Sequence, residues 1–380
     1  MQWKVDPERK TTGNDELQII HMVIALLAPG SSIHTVRWAN AFVFRGHRVH
    51  LITQHAPSDD LVPSVSVHLL PHFSGAGYLL NGPRLKRILR TIRPDVVNAH
   101  YATGYGTLVR SCSEFPVVLN VWGSDVYDFP RKGPIHRWWL CGNLRRADVL
   151  VSTSEAMADH TLTLCPELTR ATVVPFGVDT ELFKPVFRDP HAVAPLVVGT
   201  VKTLAPKYGI DTLLHAFALL PLLPAHGMEL HVVGSGPQEP ELRALARSLG
   251  ITDRVRFIPR VPHDRVPGVL AGFDVYVALS RMDSESFGVA VIEASACGIP
   301  VVVSDVGGLP EVVKNGITGF VVPRQEASAA AEKIEQLLRS PELRERMGKA
   351  GVDLVKSQYE WNACVDRMLH ALQQGDGTAH

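Results

Sequence analysis

The feature that most constrains this chain is a repeated alternation. Short runs that are apolar throughout are each followed by a segment of helical length. The runs IIHMVIALL, RVHLIT, SVSVHLL, DVVNA, PVVLNV, DVLVSTS and TVVPF come first; LVVGTVK, MELHVVG, RVRFIP, FDVYVALS, PVVVSD and GFVVP follow after an interruption. A strand with one solvated face alternates apolar and polar residues, whereas a strand covered on both faces reads as a continuous apolar run. Strands of the second kind, separated by helices, build parallel sheets with helices on both sides. The interruption, PFGVDTELFKPVFRDPHAVAP (175–195), is Pro-rich and lacks sustained periodicity, as a linker does. A chain of 380 residues also exceeds what one hydrophobic core usually holds. The pattern therefore predicts an α/β protein of two successive doubly wound domains. We expect a loose extension over 1–18, an N-terminal domain over 19–185, a C-terminal domain over 186–355, and a last helical segment, 356–380, packing back on the first domain.

Charge and cysteine content narrow the class. Lys plus Arg number 38, as do Asp plus Glu, so overall charge argues against a nucleic-acid partner. The five cysteines are far apart and no pair has CxxC spacing, which indicates neither a disulfide framework nor a zinc site. Buried free thiols are expected, as suits a reducing cytoplasm. The start, MQWKVDPERKTTGNDELQ, is polar with no apolar stretch behind it, and the run Ile19–Leu27 is too short to span a bilayer. A cytoplasmic protein is the expectation.

The stretch DSESFGVAVIEASACGIPVVVSD sets Glu285 and Glu293 among small and apolar residues, where a buried carboxylate needs a polar partner. A helix beginning near Gly288 would turn its free amides toward an anion such as a diphosphate. Gly288 would let the backbone approach a ligand, Glu293 could accept from a ribose diol, and Glu285 from sugar hydroxyls. An exposed Glu285 and a Glu293 paired with arginine is the competing arrangement. In GTVKTLAPKYGI, Lys202 and Lys207 follow a strand and precede a helix, where two cations would neutralise a diphosphate leaving group; two solvated lysines would look the same. HVVGSGP has only a G-x-G, so Gly234 and Gly236 are read as turn residues. Arg260, after another strand end, is placed near the base of any nucleotide bound there. His100 ends a strand, where doubly wound folds put ligands, although such a histidine is also a common core residue. His34 is assigned to capping or packing. Asp283 and Glu285 do not make a metal-binding pair in a parallel-sheet context, and neither metal nor cofactor is expected.

ESFGVAVIEASACGIPVVVSDVGGLPEVVKNGITGFVV closely resembles the E-x7-E signature of glycosyltransferase family 4, and the likeness extends from about Ile19 to Leu372. The resemblance implies the GT-B fold, two Rossmann-like domains around a cleft, and retaining transfer from a nucleoside-diphosphate sugar. It implies that Glu293 binds the donor ribose, Glu285 the donor sugar, and the amides of Phe287, Gly288 and Val289 the sugar and phosphate. Lys202 and Lys207 resemble the family's Arg-x4-Lys pair with lysine in the first place. Gly30 in LAPGSSIHT resembles the glycine-rich turn beside the donor phosphate, reduced from two glycines to one. LNVWGSDVYDF resembles a segment that commonly reads H-G-x-D; here Trp122 replaces the histidine and Asp125 remains as the acceptor-side candidate, with His100 second. A uridine donor is the default.

Two basic stretches suggest where the acceptor lies. FPRKGPIHRWWLCGNLRRAD (129–148) mixes cations with Trp138 and Trp139, and GPRLKRILRTIRPD (82–95) sets cations around an apolar stripe. Such segments suit an anionic membrane surface or a lipid-linked acceptor, a glycan precursor of the cell envelope for instance. For 82–95 a stripe facing the core fits equally well. Two other classes share the architecture: a nucleotide-sugar 2-epimerase, and a non-catalytic nucleotide-sugar-binding protein.

Overall fold

The computed structural model describes residues 21–186, 195–221 and 227–376. The extension expected over 1–18, and part of the linker expected over 175–195, lie outside them. Every strand anticipated from an apolar run forms, in chain order: β1 (Val23–Leu27), β2 (Arg48–Thr53), β3 (Ser66–Leu69), β4 (Val96–His100), β5 (Val117–Val121), β6 (Val149–Ser152), β7 (Thr172–Val173), β8 (Leu196–Val201), β9 (Met228–Val233), β10 (Val255–Ile258), β11 (Val275–Ala278), β12 (Val301–Ser304) and β13 (Gly319–Val322). They make two sheets, ordered β3-β2-β1-β4-β5-β6-β7 and β10-β9-β8-β11-β12-β13. Every pairing is parallel. The central strands β4 and β5 are buried at every position, so Val-rich sequence and two-sided cover go together.

Strand order reverses between β1 and β4 in the first sheet and between β8 and β11 in the second. Open α/β sheets bind ligands in the crevice at this reversal, beyond the carboxyl ends of the strands. Local signals set the helices that frame it. Gly46, at φ 86°, ends the helix Ile33–Phe44 in a left-handed turn. Ser154 caps the helix Glu155–Leu164 by accepting the Met157 N–H at 3.3 Å.

The chain crosses between the domains twice, and the two passes hold each other. The Val178 N–H donates to the Tyr359 carbonyl at 2.7 Å, and the Trp361 N–H donates to the Val178 carbonyl at 2.9 Å. The helix Pro341–Gln358 packs on the second domain, against Val289–Ala296, while the helix Trp361–Asp376 lies on β4, β5 and β6 of the first. Aromatic rings continue the seam, with Trp122 and Phe176 at 5.2 Å, Phe176 and Phe287 at 6.2 Å, and Phe287 and Tyr359 at 5.6 Å, all edge-to-face. Glu311 reaches across from the second domain and accepts the N–H groups of Glu155 and Ala156 at 2.8 and 2.6 Å. A carboxylate of one domain thus occupies the orphan donors at a helix start of the other.

One expectation is corrected. Cys141 and Cys165 are joined in a disulfide with their Cα atoms 5.9 Å apart, while Cys112, Cys297 and Cys364 are free and buried. A separation of 24 residues carries no sign of this proximity, which arises because the helix Pro134–Leu144 packs beside the end of the helix Glu155–Leu164. Thiol content therefore no longer argues for a reducing compartment.

Candidate active site

Lys202 leaves the end of β8 and Glu285 lies on the loop after β11, so the order reversal of the second sheet brings them together. Lys202 Nζ stands 2.7 Å from Glu285 Oε1, with side chains only 11% and 9% exposed. Burial by itself pulls the Lys202 ammonium down; the Glu285 carboxylate, helped by Tyr276 and Tyr208, more than offsets this and holds it above the ordinary lysine value. The ammonium groups of Lys202 and Lys207 each lie 5.0 Å from the centre of the Tyr208 ring. The negative π face of Tyr208 lets two like charges share one loop. Glycines permit the crowding: a Cβ on Gly234 would fall 1.8 Å from the Lys202 carbonyl oxygen, and one on Gly307 would fall 2.2 Å from that of Glu285. The turn role read for Gly234 is thus a close approach to the lysine loop.

Gly288, at φ 89°, heads the eight-residue helix Val289–Ala296, and no side chain caps it. Its first amides have no helical partner and stay available as donors. Phe287 is buried in the aromatic seam, and Val289 begins the helix. One turn further on, Glu293 Oε1 lies 2.8 Å from His263 Nε2. Opposite, the helix Ile33–Phe44 of the first domain contributes Arg37, within electrostatic reach of Glu293, and His34, within reach of Arg37 and His263. Burial, with Arg37 and His263 adding to it, lowers His34 to about 3, and its ring stacks on Phe176 at 4.2 Å. Sequence reasoning missed His263 and Arg37, because neither stands in a recognisable pattern. Arg260 is exposed at the end of β10, two strands from β8, with its N–H bonded to Ser235 Oγ at 3.2 Å.

Asp283 and Glu285 turn to different cations. Asp283 meets Arg324 at 3.0 Å and faces Arg131 of the first domain at 4.0 Å, while Glu285 meets Lys202. Among the described residues, no group of three or more His, Cys, Asp or Glu side chains is set to hold a metal.

On the first-domain side, His100 ends β4 and Asp125 follows the end of β5, both inside protein. Asp125 is 2% exposed and accepts the N–H groups of Ala102 and Gly123, both at 2.8 Å, Trp122 at 3.1 Å and Val126 at 3.2 Å. Burial raises its carboxyl, those amides oppose the rise, and the group knits the loops after β4 and β5 beneath the cleft. His100 is fully buried, and neither ring nitrogen has a hydrogen-bond partner among the described residues. Burial, with His34 adding to it, lowers His100 to about 3, so the ring is neutral. In this structure the Asp125 carboxyl meets backbone donors and the His100 imidazole lies in the core. Trp122 fills the space between them as an aromatic hub, 4.5 Å from His100 and 4.7 Å from Tyr101, and its carbonyl accepts from Ser286 Oγ at 2.8 Å. Gly30 holds its turn with an N–H to Thr53 Oγ1 bond of 3.0 Å.

Beside that turn lies a cleft of about 590 Å³ in the first domain, walled by Pro29, Tyr78, Tyr101, Phe129 and Trp139. Its aromatics come from four separate loops and helices, so no local pattern announced it. Of the basic segment 129–148, Ile135 and Trp138 are 75% and 64% exposed, whereas the Trp139 indole N–H is tied to Thr107 Oγ1 at 2.9 Å. Arg137 is engaged with the Leu164 carbonyl at 2.7 Å. The stripe of 82–95 turns inward: Leu85, Ile88 and Leu89 are core.

Family models match a segment in each half of the chain. Residues 186–353 match the glycosyl transferases group 1 family, and residues 23–154 match the glycosyl transferase 4-like family. The D-inositol 3-phosphate glycosyltransferase of Actinosynnema mirum is 30% identical over 392 aligned positions, covering 91% of this chain and 92% of that protein. A GDP-mannose-dependent alpha-(1-6)-phosphatidylinositol monomannoside mannosyltransferase of Mycobacterium tuberculosis is 34% identical over 220 residues, 53% of this chain; the match spans 56% of that relative's length. Among solved structures, the sucrose-phosphate synthase of Thermosynechococcus elongatus superposes with a TM-score of 0.80 at 21% identity, covering 94% of this chain and all 100% of that one. Anabaena HepE, solved with UDP, superposes at 0.79 and 18% identity, over 93% and 100% of the two chains. The likeness in fold is that of GT-B enzymes, and with one relative aligned along nine-tenths of both sequences the chain belongs to glycosyltransferase family 4.

Proposed function

We propose that the protein is a retaining glycosyltransferase that moves a sugar from a nucleoside-diphosphate sugar to an acceptor hydroxyl. The observation that carries this reading is the buried Lys202–Glu285 pair, set with Lys207 and an uncapped helix start at the strand-order reversal of the second sheet. Two ammonium groups and the helix amides form a fixed positive cradle where a diphosphate gathers charge on leaving, so their stabilisation is strongest in the transition state. Glu293 then takes the ribose diol, with His263 holding its carboxylate in place. Glu285, anchored by Lys202, faces the donor sugar. Retention needs little from a protein base, because the departing phosphate oxygen can accept the acceptor's proton on the same face. The protein's work is positioning, charge stabilisation and exclusion of water. We assign the diphosphate's charge to the lysines and amides, and so propose no metal or other cofactor.

The donor base is the open choice between uridine and guanosine: the mannosyltransferase relative is named for GDP-mannose, and HepE was solved with UDP. A thermal-shift panel of UDP, GDP and their sugars tests the reading, since a ligand of the native state raises the melting temperature. One nucleoside diphosphate should stabilise the protein with EDTA present. No shift from any of them would refute the assignment.

We further propose that a lipid-linked acceptor is met at a membrane surface on the cytoplasmic side, by way of exposed Ile135 and Trp138 beside Arg131 and Lys132. Among the described residues no helix is long and apolar enough to cross a membrane. Co-sedimentation with phosphatidylglycerol vesicles should fall when Ile135 and Trp138 are replaced by serine and alanine. Unchanged sedimentation would place the acceptor in solution.

A further inference from the structure

We propose that the cleft beside the Gly30 turn is the acceptor subsite, and that it takes an uncharged glycoside and rejects a phosphorylated one. The inference rests on the transferase reading above and adds the chemical class of the second substrate.

Two observations point the same way. The lining, which runs from Pro29 and His55 through Tyr78 and Tyr101 to Phe129 and Trp139, contains no Lys, Arg, Asp or Glu. Its most polar element is already used: the Tyr105 hydroxyl is shared by Thr53 Oγ1 at 3.0 Å, the Gln54 N–H at 3.0 Å and His55 Nδ1 at 2.8 Å. A phosphate entering here would find no cation in the lining itself, although Lys132 and Arg110 stand over the Phe129 and Trp139 rings at 5.7 and 4.5 Å. It would trade water for aromatic faces, at a cost that neutral hydroxyls do not face. A pyranose ring, by contrast, has a face of C–H bonds that suits the negative face of an aromatic ring, while its hydroxyls reach phenol and imidazole at the edge.

The platforms are held in place rather than loose. Tyr78 lies flat on the backbone at Gly104, where a Cβ would come within 2.6 Å of its Cζ, and it meets Tyr105 edge-on at 5.3 Å. Trp139 is fixed by its indole N–H bond to Thr107 and carries Arg110 over its ring at 4.5 Å. The volume, about 590 Å³, is in the range of small-molecule sites.

Tyr101 connects this cleft to the donor. It directly follows β4 at the strand-order reversal and adopts φ 68°, a left-handed backbone unusual for a bulky side chain. Its ring packs on Trp122 at 4.7 Å, and its phenol lies in electrostatic range of Tyr78 in the cleft and Tyr208 on the lysine loop. We assign it as a positioning residue that directs the acceptor hydroxyl toward the donor cradle. The names of two relatives specify phosphate-bearing acceptors, inositol phosphate and a phosphatidylinositol mannoside. The charge-free lining predicts that this chain does not share that preference.

The test uses the full chain saturated with whichever nucleoside diphosphate it binds, and calorimetry with 4-nitrophenyl α-glucoside, α-mannoside and α-galactoside, each with and without a 6-phosphate. At least one uncharged glycoside should bind at least tenfold more tightly than its phosphate. Trp139→Ala should weaken that binding at least tenfold and leave nucleoside diphosphate affinity within twofold, which also shows that the variant is folded. Leu79→Arg, at the rim, should narrow the gap in favour of the phosphorylated sugar. Equal or tighter binding of the phosphates by the unaltered protein overturns the proposal, as does failure of all three uncharged glycosides to bind. Absence of nucleoside diphosphate binding would instead refute the transferase reading itself, so the two failures are told apart.

Discussion

Lowering the pH from 7 to 5.5 should cost this protein stability through two histidines, one fully buried and one half-buried, whose protonation the fold disfavours. His100 and His34 are lowered by burial to about 3, against an ordinary value of 6.5. The unfolded chain takes up a proton on each as pH falls through 6.5, and the folded chain does not. The stability tied to a neutral buried ring is thus complete above 6.5 and is lost progressively as pH falls toward 3. For a group shifted this far, each ring accounts for about 1.2 kcal/mol of loss between pH 7 and 5.5, and the pair for about 2.5 kcal/mol. Other half-buried histidines add to the total, so the variant isolates the effect. His100→Leu removes a ring whose two nitrogens have no partner among the described residues. It should therefore leave stability at pH 7 within about 1 kcal/mol of the original, because no hydrogen bond is broken. It should also remove about 1.2 kcal/mol of the acid-dependent loss. Urea unfolding at half-unit steps of pH reads both. A variant with the full original pH dependence, or one that loses more than about 2 kcal/mol at pH 7, would show that the ring has a polar partner and that the burial argument is wrong.

Further expectations concern the donor site and the seam. Glu293→Ala should weaken nucleotide-sugar binding at least tenfold in calorimetry, since a charge-assisted hydrogen bond is worth about 1.5–3 kcal/mol; unchanged affinity would remove Glu293 from the site. Replacing Lys202 and Lys207 together with alanine should depress turnover at saturating donor more than donor affinity. Lys202→Ala alone should also cost about 3–5 kcal/mol in urea unfolding, by stranding the Glu285 carboxylate, whereas Lys207→Ala should cost little. Glu311→Ala should cost about 1 kcal/mol, the usual value of a helix cap, and make the domains easier to separate in small-angle scattering with and without nucleotide; identical profiles would show that Glu311 does not clasp them.

The alternation of apolar runs with helical segments was enough to anticipate both sheets, because a strand covered on both faces must be apolar at every position, and that demand is written locally. The same holds for the pairing of the E-x7-E stretch with a helix start. Such features depend on neighbours a few residues away. What Glu285 and Glu293 meet was not local. Lys202 and His263 lie 83 and 30 residues from them, and strand order in the second sheet decides that they are in reach. Burial likewise separates residues that look alike in sequence. Asp125 and His100 both stand where strands end, and the fold buries both beside Trp122. There desolvation and backbone donors, properties of the packed chain alone, set their charge. The Cys141–Cys165 disulfide and the neutral aromatic cleft belong to this second kind. Both bring side chains from distant segments to one point, and the physical reason is the same: long-range contacts are chosen by how whole elements pack, and no residue signals in its own neighbourhood which distant one it will touch.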